Sequence, residues 1–151
     1  MDKKEEKIVK KVIGDVLKLL EVDGDFTFAT TSEIIEVVLD TKDSGMVIGY
    51  HGEVLESLQL ILSLCVSKKI GRFVRVSVEV GDYKKNRTDW LETLAMQTKE
   101  KVLQEKKEVP LPSLRSWERR IVHMYFQDDE EVMSESVGIG KERTLVIRPR
   151  E

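Results

Sequence analysis

Apolar residues recur through the first twenty positions with a helical period. Ile8, Val9, Val12, Ile13, Val16, Leu17 and Leu20 fall at i, i+1, i+4, i+5 spacing, which predicts an amphipathic helix over residues 5–21. Asp23-Gly24-Asp25 supplies turn chemistry, and the period then drops to two. Phe26 and Phe28 alternate with Thr27 and Ala29, and Glu33–Asp40 follows as a run rich in Ile and Val, so two strands are expected. Thr30-Thr31-Ser32 between them is short enough for a hairpin. Asp43-Ser44 offers an N-cap for a single helical turn at Gly45–Ile48. After Gly49-Tyr50-His51-Gly52 the helical period returns, with Val54, Leu55, Leu58, Ile61, Leu62 and Cys65 expected to face inward. Lys68, Lys69 and Gly71 suit the end of that helix. Phe73–Val80 then alternates Val74, Val76, Val78 and Val80 with Arg75, Ser77 and Glu79, which reads as a strand.

Gly81-Asp82 interrupts the pattern, and a long charged helix is expected over Tyr83–Lys107, with Trp90, Leu91, Leu94, Ala95, Thr98 and Val102 as its apolar line. Val109–Pro112 can be only a short edge strand, because proline removes ladder donors. Ser116–Gln127 reads as a helix anchored by Trp117, Ile121 and Tyr125, and Val132–Val137 and Arg143–Arg148 as strands around the turn at Gly138-Ile139-Gly140. The expected architecture is α/β (α+β) in two small domains, residues 1–83 and residues 84–151, with the first in the order αββααβ.

Composition narrows the function classes. The chain has 151 residues, 40% hydrophobic and 35% charged, as a folded globular protein has. No apolar run approaches the roughly 18–20 residues that span a bilayer, so no membrane insertion is expected. The opening MDKKEEK lacks the apolar core of a signal peptide, which makes the cytoplasm the expected compartment. One cysteine, Cys65, makes no disulfide framework and reads as a small core hydrophobe, and two histidines supply no zinc set. No cofactor or metal is expected. Nor is an enzyme: Gly138-Ile139-Gly140-Lys141 lacks the Walker spacing because position 135 is Glu, and no nucleophile–base set stands out. The net charge of −3 disfavours a protein that coats nucleic acid, yet it divides into −4 over residues 1–83 and +1 over residues 84–151.

Two local patterns carry candidate chemistry. Ile48-Gly49-Tyr50-His51-Gly52 sits between a short and a long helix, where glycines let a sugar-phosphate backbone approach main-chain N–H groups. A tight helix–helix turn without a ligand explains the same residues. In Trp117–Gln127, Arg119 and His123 lie about 40° apart, one helical turn from each other. Arg120 stands on their flank, and Arg143 and Arg148 on the last strand could extend the cationic surface. Such a pair suits a phosphate or single-stranded backbone, and equally a solvated helix face.

Together these segments resemble a type II K-homology (KH) domain followed by an R-three-H domain, the arrangement of the Jag (SpoIIIJ-associated) family of bacterial RNA-binding proteins. The resemblance rests on residues 48–59, on Arg72-Phe73-Val74-Arg75-Val76, and on Glu118–His123 with Gln127-Asp128-Asp129. It implies single-stranded RNA, or single-stranded DNA, bound by an RNA chaperone or post-transcriptional regulator tied to elongation, division or sporulation. It also implies a homodimer, or a heterodimer with a second small KH protein. Three departures stand out. The family's additional N-terminal domain is not expected here. The glycine loop carries Tyr50 and His51 where Lys or Arg is usual, with Tyr50 offering stacking in place of charge. The helix before Arg119 opens with Arg115-Ser116 rather than Ser-Pro. The competing function is a protein-interaction adaptor that dimerises through its KH unit.

Overall fold

Asp2 starts the first helix earlier than its apolar stripe suggests. Its Oδ1 accepts the N–H groups of Lys4 and Glu5 at 2.8 and 2.7 Å, so α1 runs Lys3–Leu19. The computed structural model describes residues 1–31 and 33–151; of the expected hairpin connection, Ser32 lies outside the described residues. The chain divides into two compact units, Met1–Lys84 and Lys85–Glu151, each with its own core.

In the first unit β1 (Gly24–Thr30) pairs antiparallel with β2 (Ile34–Thr41), and β2 pairs parallel with β3 (Arg75–Val80), in the order β1-β2-β3. Ile35, Val37 and Leu39 of the central strand and Val76, Val78 and Val80 of β3 point to the face covered by α1 and by α3 (Glu53–Ile70). Val9, Ile13 and Leu17 form the inner line of α1. Between β2 and α3 lie α2 (Ser44–Ile48) and the turn Tyr50–Gly52. Asp43 is the N-cap residue of α2, but its carboxylate makes no cap bond and instead accepts the Asp23 N–H at 3.4 Å.

The rotation of α3 differs from the expected one. Leu55, Leu58, Leu62, Ser63 and Val66 are buried, whereas Val54 and Ile61 are each 45% exposed. The cause is the edge of the sheet. β3 has no strand beyond it, and its outward N–H groups need acceptors. Gln59 Oε1 accepts from Val78, Ser63 Oγ from Val76 and Ser67 Oγ from Val74, each at 2.9 Å. Four helical residues rise about 6 Å and two strand residues about 6.6 Å, so an i, i+4, i+8 row of side chains matches alternate strand amides. Ser63→Ala leaves the buried Val76 N–H without its acceptor and is expected to cost about 1–3 kcal/mol in urea unfolding. Ser57→Ala removes only a bond to the Glu53 carbonyl on the same helix, and should stay within about 0.5 kcal/mol.

The second unit is built on α4 (Tyr83–Glu105), β4 (Val109–Pro110), α5 (Ser116–Tyr125), β5 (Val132–Val137) and β6 (Thr144–Pro149). The sheet order is β4-β6-β5 and every pairing is antiparallel. Its core joins Leu91, Ala95 and Val102 of α4 to Val122, Phe126, Val132, Leu145 and Ile147. Trp90, expected on the apolar line of α4, is instead 44% exposed with the Arg87 guanidinium 4.1 Å above its ring. The anchoring face of α5 also corrects the expected one. Glu118, Val122 and Phe126 are buried, Trp117 and Ile121 are half-buried at the flank, and Tyr125 is exposed.

Candidate nucleic-acid interface

A buried carboxylate sets the start of α5. Glu118 is 1% exposed; its Oε1 accepts the Arg87 Nε–H at 2.6 Å and its Oε2 the Arg115 backbone N–H at 2.8 Å. Arg115 occupies the N-cap, where arginine has no acceptor to offer, and Glu118 reaches back to supply one. Arg119, the next residue, is half-buried. Its guanidinium donates to the Leu114 carbonyl at 2.6 Å and to Ser116 Oγ at 3.1 Å, and carries more N–H donors than those two bonds use. Arg119 therefore lies along its helix as a held group rather than a free-swinging one. Arg120 is exposed.

One turn on, exposed His123 places Nδ1 2.7 Å from Ser134 Oγ, a single hydrogen bond whose donor depends on the tautomer. Two residues along the same face of β5, Ser136 Oγ accepts the Arg143 Nε–H at 2.7 Å. Successive same-face positions are about 7 Å apart, so His123, Ser134, Ser136 and Arg143 form a polar row along the outer strand of the sheet. The two serines were not singled out from the sequence. The signal was there in period two, since alternation in Val132–Val137 puts Ser134 and Ser136 on the face of buried Val132. β5 is aimed by Asp129, whose Oδ1 accepts the N–H groups of Glu131 and Val132 at 2.9 and 3.0 Å while Oδ2 meets Lys99 Nζ at 2.7 Å. Burial opposes ionisation of Asp129, but Lys99 and the two N–H donors outweigh it and hold its carboxyl below the ordinary value.

Arg148 does not join that row. It pairs across the ladder with Met133, on the opposite face of the sheet from Ser134 and Ile147. There its guanidinium lies 2.8 Å from Glu135 and 3.5 Å from Glu108.

In the first unit, the glycines of the loop are required by packing. Gly49 sits at φ 69°, ψ −169°, a region essentially restricted to glycine, and a Cβ there would run into the Val54 side chain. Gly52, at φ 79°, packs so closely that a Cβ would lie 2.9 Å from the Tyr83 hydroxyl. Between them His51 adopts a left-handed conformation, φ 50° and ψ 32°, and its ring stacks on Tyr50 with centroids 4.1 Å apart and planes 10° from parallel. Ile48, at the end of α2, is half-buried against the core.

Two known families cover this framework: the KhpA/KhpB KH domain matches residues 6–80, and the R-three-H domain matches residues 89–149. The chain belongs to the KhpB/Jag family. It is 34% identical over 128 residues to the RNA-binding protein KhpB of Clostridium symbiosum, covering 85% of this chain and 58% of that protein. It is 29% identical over 139 residues to KhpB of Streptococcus pneumoniae serotype 2, covering 92% and 41%, and 26% identical over 140 residues to KhpB of Bacillus subtilis, covering 91% and 67%. The chain thus spans about half the length of the first two of these curated relatives. In family terms, αββααβ with β3 parallel to β2 is the KH part, and α5 with its three-stranded sheet is the R-three-H part. Among the described residues no helix is long and apolar enough to cross a membrane, and no cluster of His, Cys, Asp or Glu could hold a metal.

Proposed function

We propose that this chain binds single-stranded RNA, or single-stranded DNA, with little sequence preference, and serves as a cytoplasmic RNA chaperone or post-transcriptional regulator. The observation that carries the reading is the polar row on the second unit with Arg119 one helical turn before it, where Arg119, His123 and Arg143 are each held by hydrogen bonding to neighbouring residues. Pre-positioned cations and hydroxyls suit a flexible phosphate backbone, because less side-chain freedom is lost on binding. Family membership and the names of the KhpB relatives support RNA as the ligand; a role in elongation, division or sporulation is part of the proposal and rests on the family resemblance alone. The Ile48–Gly52 loop is the second foothold, and two weak sites on one chain gain through effective concentration.

Replacing both Arg119 and His123 with Ala is expected to weaken RNA binding and to flatten its salt dependence by about 0.7 log units per lost phosphate contact. Unchanged affinity and slope in a variant with wild-type circular dichroism would sink the role given to this row.

A second reading, an adaptor that dimerises through its KH unit with itself or with a second small KH protein, is favoured by one feature. Leu60, Ile61 and Leu64 lie exposed on the outer side of α3. Light scattering beside an RNA gel shift separates the two: a tight dimer that retains no RNA at moderate salt supports the adaptor.

A further inference from the structure

We propose that the Gly49–Gly52 loop receives an unstacked nucleobase rather than a phosphate, with the paired rings of Tyr50 and His51 as its platform. This rests on the RNA-binding reading and gives the first unit a contact of a different chemical kind from the row on α5 and β5.

Neighbouring side chains in regular structure do not stack. They point to opposite sides of a strand, or about 100° apart on a helix. The left-handed backbone at His51 turns its ring back over Tyr50, bringing the two planes to 10° and the centroids to 4.1 Å. Histidine tolerates that conformation better than most residues. The glycine-only geometry of Gly49 and the close seat of Gly52 hold both ends of the turn. Tyr50 is 77% exposed even with one face on His51, so its other face is open to solvent. A second aromatic plane can be laid on it without moving the protein.

The loop and the helical turns flanking it bring no Lys or Arg of their own to a phosphate. No Lys or Arg occurs between Lys42 and Lys68, a span that holds all of α2, the loop and most of α3. The first turn of α3 instead brings Glu53 and Glu56. Lys84, next in sequence to the Tyr83 that packs on Gly52, already donates to Gln59 Oε1 at 3.1 Å and to Ser77 Oγ at 2.6 Å. Met46 and Val54, on the helices flanking the loop, are exposed and apolar. Ring faces and an apolar rim suit a base, and stacking accepts any base because every base has a π-face.

Stacking and phosphate contact leave different signatures. Losing a stacked base weakens affinity without changing the number of counterions released, whereas losing a phosphate contact lowers the salt slope. The test uses the full chain, its Tyr50→Ala and Tyr50→Phe variants, and a single-stranded RNA carrying a fluorescent adenine analogue. Tyr50→Ala is expected to bind about tenfold more weakly, with an unchanged slope of log affinity against log salt. Tyr50→Phe, which keeps the ring, should stay within about twofold of wild type. Analogue emission should be quenched by wild type and Tyr50→Phe and not by Tyr50→Ala. Wild-type affinity and quenching in Tyr50→Ala, or a slope that falls with the affinity, overturns the stacking contact. RNA that the wild-type chain does not bind even at low salt overturns both readings, whereas a silent Tyr50→Ala beside a binding wild type overturns the stacking alone.

Discussion

Glu118→Ala is expected to destabilise the second unit by about 3–5 kcal/mol, the cost of leaving one member of a buried ion pair without the other. Arg87 is nearly buried, its side chain 12% exposed, and would keep its charge with no carboxylate at 2.6 Å. The Arg115 N–H at the head of α5 would lose its acceptor in the same change. Glu118→Gln retains a carbonyl for that N–H but no charge for Arg87, so it should fall between wild type and Ala. Replacing both Arg87 and Glu118 with Leu or Met should recover much of the loss, because the desolvation of both charges disappears with them. Trp90 and Trp117, the chain's two tryptophans, both lie in this unit, so their emission during urea unfolding follows it selectively. A Glu118→Ala variant within about 1 kcal/mol of wild type would show that Arg87 finds water or another partner. Because Glu118 directly precedes Arg119, the same variant should also bind RNA more weakly.

Gly49→Ala is the counterpart in the first unit. Alanine at φ 69°, ψ −169° carries a backbone penalty of about 1–3 kcal/mol. Its methyl group would also collide with the Val54 side chain and lie 3.1 Å from the Val54 nitrogen. The loop can escape only by re-forming, which would separate the Tyr50 and His51 rings. Gly45 supplies the control. It lies in α2 with nothing within 4 Å of a built Cβ, so Gly45→Ala should stabilise by about 0.5–1 kcal/mol. Far-UV circular dichroism should show opposite shifts for the two variants, with tryptophan emission little changed. Equal effects would mean that the loop does not hold the glycine-only geometry.

The types and order of the elements were readable because each segment advertises its period. Val74, Val76, Val78 and Val80 could be nothing but one face of a strand, and Pro110 confined β4 to the sheet edge. The Gly49–Gly52 loop and the Arg119/His123 turn were visible as residue patterns at fixed spacing, and the departures at Tyr50 and Arg115 were visible as exceptions to them. Where reading failed, it failed on rotation. α3 is apolar nearly all round, so no stripe identifies its inner side, and the β3 amides chose it by drawing in Gln59, Ser63 and Ser67. On α5 the apolar line Trp117, Ile121, Tyr125 looked like the anchor, yet the helix turned a carboxylate inward because Arg87 waited on α4 to pair with it.

The same division runs through the candidate site. Sequence alone determined which helices and strands form, where the glycine turn falls, and that Arg119 and His123 share a helix face, since all of these follow from contacts a few residues apart. Only the tertiary structure decided that Ser134 and Ser136 sit under His123 and Arg143, that Arg148 faces the other side of the sheet, and that Glu118 is an interior residue. Those outcomes depend on hydrogen bonds and charge pairs between residues 7 to 40 positions apart, beyond the reach of any local period.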